Sequence, residues 1–171
     1  MMQQDGGRTG KLLRGALAGL VAGLAASFAM DQFQAALTAL SSGGGGDEGK
    51  KQEPATQKAA DRVGRALTGR EPSSARKPLA GQAMHYALGI GLGVTYGIAA
   101  ELRPSVTAGF GTAFAFGTAT LLDEGAVPAL GLGQVPWKAE LTGHLYSYAS
   151  HLVFGSTAEL VRRQVAATLR A

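Results

Sequence analysis

The sequence has no cysteine, a single tryptophan, and few charged residues, which make up 16% of its 171 positions. Without cysteine the chain cannot form disulfides, use a thiol nucleophile or bind a metal through thiolates. It also lacks the GxSxG, HExxH and GxxxxGK[ST] signatures of hydrolases, metalloproteases and phosphate-binding loops. No enzyme class is indicated, and we expect no catalytic residues.

Glycine, by contrast, is abundant, with 26 residues and no Gly-X-Y period. The mean hydropathy of +0.08 hides long apolar runs, because polar residues are concentrated at the two ends and in one central segment. Small residues at this density in apolar runs are typical of closely packed membrane helices. The net charge of +4 fits basic flanks beside such helices, so we expect no nucleic-acid partner.

The stretch 141–161 best shows this pattern, since among its 21 residues only His144, His151 and Glu159 are ionisable. About 20 apolar helical residues cross a ~30 Å hydrocarbon core, so the stretch predicts a membrane-spanning helix. One face of this helix carries small and polar side chains at four-residue intervals, namely Ser147, His151, Gly155 and Glu159. Because unpaired polar groups are costly in lipid, we expect this face to point towards protein.

Three further apolar segments, about 12–40, 79–102 and 106–122, complete the prediction of an all-α bundle with four transmembrane helices in a single membrane domain. Small residues spaced four apart predict a glycine zipper, in which helix backbones approach closely. The predicted packing residues are Gly15, Gly19, Gly23, Gly89, Gly93, Gly97, Gly109, Gly117 and Gly155. A basic stretch before the first apolar run also resembles a secretory signal, but its glycine face favours a retained helix.

Residues 41–78 are predicted to lie outside the bundle, as a Gly-rich flexible linker followed by a short amphipathic helix. This helix is expected either on the membrane surface or packed against the ends of the spans. The ends of the second and fourth spans, 96–102 and 154–160, resemble each other, which indicates two repeated helical hairpins. Arginines that abut helix ends favour both termini in the cytoplasm.

Four antiparallel spans would gather the ionisable residues at the two ends of the bundle. The residues expected near the first end are Asp31, His85, Asp123, Glu124, His144 and, deeper in the bundle, His151. Histidine titrates near neutral pH, so this group predicts a cavity that handles or senses protons or ions. The alternative is a purely structural role, in which these side chains join helices by hydrogen bonds. Glu101 and Glu159 are expected at the other end, paired with arginines.

Two other functions stay open from the sequence. Exposed Gly-xxx-Gly faces would suit an accessory subunit that packs against a second copy or another membrane protein in the lipid bilayer. A haem or metal protein is the third alternative, with haem held between His85 and His144, although no distinctive haem motif is present.

Several short motifs together resemble the YagU-like family of small bacterial inner-membrane proteins, a domain of unknown function. They are Gly15-Ala16-Leu17-Ala18-Gly19, the ATQKAA run at 55–60, the HYALG run at 85–89 with Tyr96-Gly97, Asp123-Glu124 with Pro128, and HLVFG at 151–155 before Glu159. The resemblance spans about residues 12–163. It implies a polytopic helical protein of the bacterial inner membrane, and it supplies no activity and no catalytic residues.

Overall fold

The computed structural model describes residues 2–42 and 53–171, most of which are helical and none of which forms a strand. The all-α prediction is therefore confirmed for this part of the chain. The long helices are α1 (Met2–Ser42), α2 (Ala55–Thr68), α3 (Lys77–Leu102) and α6 (Leu141–Thr168). Most of the predicted Gly-rich linker lies outside the described residues. The amphipathic helix is present as α2, and Gly69 ends it in a left-handed conformation with φ of 72°.

The helices α1 and α3 pack with their backbones almost in contact. A Cβ atom on Gly19 would lie 2.2 Å from the carbonyl oxygen of Gly93, and a Cβ atom on Gly93 would lie 2.3 Å from that of Gly19. The same approach is repeated one turn away in each direction, where Gly15 meets Gly97 and Gly23 meets Gly89. The pairing runs in opposite order along the two helices, so α1 and α3 are antiparallel.

The third predicted span, 106–122, differs from the structure at both ends. A 3-10 turn covers Pro104–Thr107, and Gly109, Phe110 and Gly111 follow with φ angles of 71°, 56° and 82°. Helix begins only at Thr112. The predicted start was wrong because a glycine that packs in a helix and a glycine that forms a left-handed turn have the same local sequence signal.

Beyond its predicted end the third helix continues as three joined pieces. These are α4 (Thr112–Thr118), a π-helical segment (Ala119–Ala126) and one turn of α5 (Val127–Ala129). Asp123 and Glu124, predicted to end the helix, lie inside the π-helical segment instead. Such wide turns often accompany functional sites, since they redirect side chains.

The close approach of α4 to α6 occurs at Gly155, a predicted packing residue, and at Gly111 and Ala115, which the sequence did not single out. A Cβ atom on Gly111 would lie 2.2 Å from the carbonyl oxygen of Gly155, and one on Gly155 would lie 2.7 Å from Cβ of Ala115. Gly109 meets only the side chain of Thr112, and Gly117 has nothing within 4 Å. Within the described part of the chain, Gly109 and Gly117 therefore contact no other helix, whereas Gly155 lies at the contact.

Small side chains fill much of the interior of the bundle, with Phe154 and Tyr96 as its large buried rings. Ala18, Ala22 and Ala26 on α1 are fully buried, and the largest fully buried side chain belongs to Glu159. Many other large apolar side chains face outward. Examples of these exposed residues are Leu13, Leu17, Phe28, Leu121, Leu145 and Leu160.

Among the described residues, two helical stretches are long and apolar enough to cross a membrane, Gly7–Ser41 and Lys77–Leu102. The helix α6 has the length, with 28 residues, but not the apolar character by the same measure. The four predicted crossings are thus supported for the first and second spans only. The chain alternates in direction through α1, α3, α4 and α6, as two hairpins would, since α4 and α6 are also antiparallel.

Candidate functional site

The first histidine–carboxylate pair joins the end of α1 to the start of α3. Nε2 of His85 lies 3.3 Å from Oδ1 of Asp31. The other carboxylate oxygen of Asp31 accepts a 2.6 Å hydrogen bond from the amide of Gln82, one turn before the histidine. Nε2 of His85 is buried and makes no aligned hydrogen bond among the described residues. The imidazole of His85 therefore lies beside the negative charge of Asp31, and its Nε2 can still form a hydrogen bond.

The second pair joins the π-helical segment to the first turn of α6. Nδ1 of His144 lies 2.6 Å from Oε1 of Glu124, and Nε2 lies 3.2 Å from the carbonyl oxygen of Pro136. Both ring nitrogens are therefore within hydrogen-bonding distance of an oxygen. This pair fixes the loop before α6 to the π-helical segment.

The third pair lies two turns further along α6. Nδ1 of His151 is 3.0 Å from the carbonyl oxygen of Ser147 and 3.5 Å from Oδ2 of Asp123. The hydroxyl of Ser147 donates to that same carboxylate oxygen. Two consecutive residues of the π-helical segment, Asp123 and Glu124, thus both reach histidines on α6.

A cavity of about 690 Å³ brings two of these three pairs together. Asp31 and His85 line it from α1 and α3, and Asp123 and His151 line it from the π-helical segment and α6. The helix α2 forms part of the wall. The pair of His144 and Glu124 does not line the cavity, although the sequence placed it in the same group.

The opposite end of the bundle holds a buried carboxylate that is saturated with donors. Glu159 is fully buried, and Arg162 binds it through two hydrogen bonds of 2.8 and 2.9 Å. The hydroxyl of Tyr96 adds a bond of 2.8 Å, and Arg163 adds a fourth. A carboxylate has about four lone-pair sites, so Glu159 has no acceptor capacity left for a substrate or a proton.

Glu101 lies at the same end and links three helical elements. Its carboxylate accepts hydrogen bonds from Arg14 at 2.9 Å and from Arg170 at 2.6 Å. The sequence predicted that the two glutamates pair with arginines, and the partners of Glu101 are Arg14 and Arg170. These two partners are 87 and 69 residues away along the chain, so no local signal could have identified them. Ion pairs between arginines and these two glutamates therefore join the helices at this end of the bundle.

The geometry of the histidines does not favour haem or metal ligation. Haem between His85 and His144 would need a free nitrogen on each ring, and both nitrogens of His144 already face oxygens. Among the described residues, no group of three or more His, Asp or Glu side chains is arranged to hold a metal ion.

Sequence reasoning missed two polar side chains that complete the two ends of the bundle. Gln82 holds Asp31, and Tyr96 crosses from α3 to Glu159 on α6. Ser147, which the four-residue spacing had placed on the inward face of α6, holds Asp123. Gln82 and Ser147 lie three or four residues from a histidine on the same helix, and that spacing was the only signal available.

Comparison with known proteins places the chain in a family. No curated protein and no solved structure matches it. The family model described as a protein of unknown function (DUF1440) matches residues 51–160, well over half of the chain. The match runs from before α2 into α6, includes all three histidines and leaves out α1. The YagU-like resemblance is consistent with this match, and the chain therefore belongs to the DUF1440 family.

Proposed function

We propose that this chain is an integral membrane protein that binds and senses protons through its histidine–carboxylate pairs. The observation that carries the proposal is the cavity that His85 and Asp31 share with His151 and Asp123. Four ionisable side chains from four different helical elements face one space there. A change in the charge of either histidine would therefore alter the electrostatic interactions among all four side chains.

The membrane assignment is supported by the spacing of the two polar ends. From Arg14 to Asp31 the helix α1 rises about 26 Å, and from His85 to Glu101 the helix α3 rises about 24 Å, at 1.5 Å per residue. These lengths approach the ~30 Å hydrocarbon thickness of a bilayer. The outward leucines and inward alanines between the two ends suit lipid rather than water. We propose the bacterial inner membrane as the location, with both termini cytoplasmic.

Protons are the species that this chemistry fits best. Histidine is the side chain whose charge changes near neutral pH, and a neighbouring carboxylate couples that charge to the packing of a second helix. His151 is largely buried, with 9% of its side chain exposed, so a proton bound there would place a positive charge inside the bundle. Ionisable side chains inside a membrane protein are costly and mark functional sites by default.

The accessory-subunit alternative receives less support. Six of the predicted packing glycines face each other between α1 and α3, and Gly155 faces Gly111. Their surfaces are therefore covered within the chain and are not available to a partner.

The test is thermal unfolding of the full-length protein in detergent between pH 5 and 8, followed by circular dichroism. We expect the midpoint of the wild-type protein to change over this range, because histidine is the side chain whose charge changes near neutral pH. Replacing His85 and His151 together by glutamine should reduce this change. Replacing His144 alone, outside the cavity, measures the share that comes from the third histidine. An unchanged pH dependence in the double variant would contradict the proposal.

A further inference from the structure

We infer that the cavity between α1, α2, α3 and the π-helical segment binds an organic cation with a hydrocarbon body. The inference rests on the proposed function, because the carboxylates that face this ligand belong to the two histidine pairs of the cavity. It adds a ligand class to a site whose only proposed ligand so far is the proton.

The size of the cavity indicates a small organic molecule. Its volume is about 690 Å³, and small-molecule sites typically occupy about 300–1,000 Å³. A proton or a bare metal ion would leave nearly all of this space unfilled. The absence of a three-residue metal group among the described side chains points the same way.

The lining indicates a ligand with an apolar body. Most of the side chains around the cavity are apolar, among them Met30, Met84, Leu92 and Phe154. Methionine side chains adapt to irregular hydrocarbon shapes, and the phenylalanine ring offers a face on which a cation is stabilised. Burial of apolar ligand surface against these residues would supply the larger part of the binding free energy.

The charge of the lining indicates a cation. Among the described residues that line it, Asp31 and Asp123 are the two carboxylates, and none is a lysine or an arginine. Two nearby basic side chains have other acceptors, since Lys77 bonds to Asp61 and Arg62 bonds to the carbonyl oxygen of Leu130. With both histidines neutral, the described part of the lining therefore carries two formal negative charges that none of its own side chains offsets.

The hydrogen bonding of His151 adds an acceptor for an ammonium group. Nδ1 lies 3.0 Å from the carbonyl oxygen of Ser147, which can only accept, so Nδ1 carries the hydrogen in the neutral ring. Nε2 is then an acceptor on a side chain that lines the cavity and is nine-tenths buried. Protonation of His85 and His151 would cancel the negative charge of the lining. Cation and protons therefore compete for this site, and acidification should release the cation.

The experiment compares two ions of the same shape and opposite charge, radiolabelled tetraphenylphosphonium and tetraphenylborate. Each is bound at pH 8 to the full-length protein in nanodiscs of neutral lipid, with protein-free nanodiscs subtracted. We expect saturable binding of the phosphonium and none of the borate. Equal binding of the two ions by the wild-type protein would overturn the inference, and this comparison needs no variant.

Matched variants locate the site. Asp31→Asn and Asp123→Asn should each weaken phosphonium binding by about tenfold, because each removes one negative charge facing the ligand. Glu140→Gln removes an exposed charge that does not line the cavity and belongs to none of the histidine pairs, and its binding should stay within about twofold of wild type. Wild-type affinity in both asparagine variants, with their helical circular dichroism intact, would overturn the inference.

The outcomes separate this inference from the proposed function. A protein whose stability follows histidine protonation, but which does not discriminate between the two ions, keeps the proposed function and loses the cation site. A protein that selects the phosphonium, but whose stability does not depend on His85 and His151, keeps the cation site and loses proton sensing.

Discussion

The hydroxyl of Tyr96 on α3 donates a 2.8 Å hydrogen bond to the fully buried carboxylate of Glu159 on α6. The Tyr96 ring in turn stacks on Phe114 of α4, with ring centroids 4.3 Å apart. One side chain thus connects three helices at the end of the bundle that holds the two ion-paired glutamates. The two ends of the molecule therefore differ in character: one is closed by saturated ion pairs, and the other contains the cavity.

Removing the tyrosine hydroxyl should loosen this closed end. Tyr96→Phe is expected to cost about 1–2 kcal/mol, because it deletes a hydrogen bond to a charged acceptor inside the bundle. Tyr146→Phe is the matched control, since Tyr146 is 40% exposed and should cost less than about 0.5 kcal/mol. Denaturant unfolding in mild detergent measures both. Equal losses would show that the bond to Glu159 contributes nothing.

Deleting the carboxylate itself should cost more. Glu159→Ala leaves the guanidinium of Arg162, which is 7% exposed, without its bidentate partner. Breaking a buried pair from one side costs about 3–5 kcal/mol. The double variant Glu159→Ala with Arg162→Leu should recover part of this loss, and unfolding measurements in detergent would reveal it. A double variant that is less stable than the single one would contradict the ion-pair explanation.

Large side chains at the α1–α3 contact should separate the two helices. Gly93→Leu is expected to destabilise by at least about 1–3 kcal/mol, because its Cβ would lie 2.3 Å from the carbonyl oxygen of Gly19. Gly91→Leu, two residues away on the same helix, faces open space with nothing within 4 Å and should be nearly neutral. Thermal unfolding of both variants tests the contact. A destabilised Gly91 variant would indicate that this outer surface is packed.

The number of crossings can be read by cysteine labelling, which is unambiguous in a chain with no cysteine of its own. Four crossings place Lys138 on the side opposite the termini, and two crossings place it on the same side. We expect Ser74→Cys and Lys138→Cys to react with an impermeant maleimide in spheroplasts. Gly10→Cys and Ser105→Cys should react only after permeabilisation. Protection of the cysteine at position 138 would limit the protein to two crossings.

The attachment of α2 should depend on one ion pair. The ammonium of Lys77 bonds to the buried carboxylate of Asp61, and the side chain of Gln57 packs against Gly81. Asp61→Asn is therefore expected to raise hydrogen exchange in residues 55–68 several-fold, by mass spectrometry, while α3 stays protected. Arg70→Gln, an exposed change just beyond α2, should leave exchange unaltered. Unchanged exchange in the asparagine variant would show that apolar packing alone holds α2.

Whether the sequence could predict a feature depended on whether a local pattern or the register of distant helices determines it. Four-residue spacing predicts which glycines share a face, and so Gly15, Gly19 and Gly23 were identified before any partner was known. Threading also brought Asp31 and His85 to one end, because antiparallel helices fix the depth of each residue. The bond from Arg14 to Glu101 depends on the relative register of distant helices, which no local pattern encodes.

The π-helical segment was missed for a different reason. An Asp-Glu pair after an apolar run commonly ends a helix, and nothing local distinguishes that case from a widened turn inside one. The consequence is considerable, since the widened turn is what carries Asp123 and Glu124 to the histidines of α6.

The glycine contact between α1 and α3 also limits how the molecule can move. At these glycines the carbonyl oxygens of one helix occupy the space that a Cβ atom of the other helix would need. The two helices therefore cannot slide or rotate past each other without breaking their backbone contacts. The two helices therefore move as one rigid unit, which carries Asp31 and His85. We expect any shape change that follows a proton to come from the opposite wall, where side-chain bonds such as Lys77 to Asp61 and Ser147 to Asp123 join α2 and the π-helical segment to their neighbours.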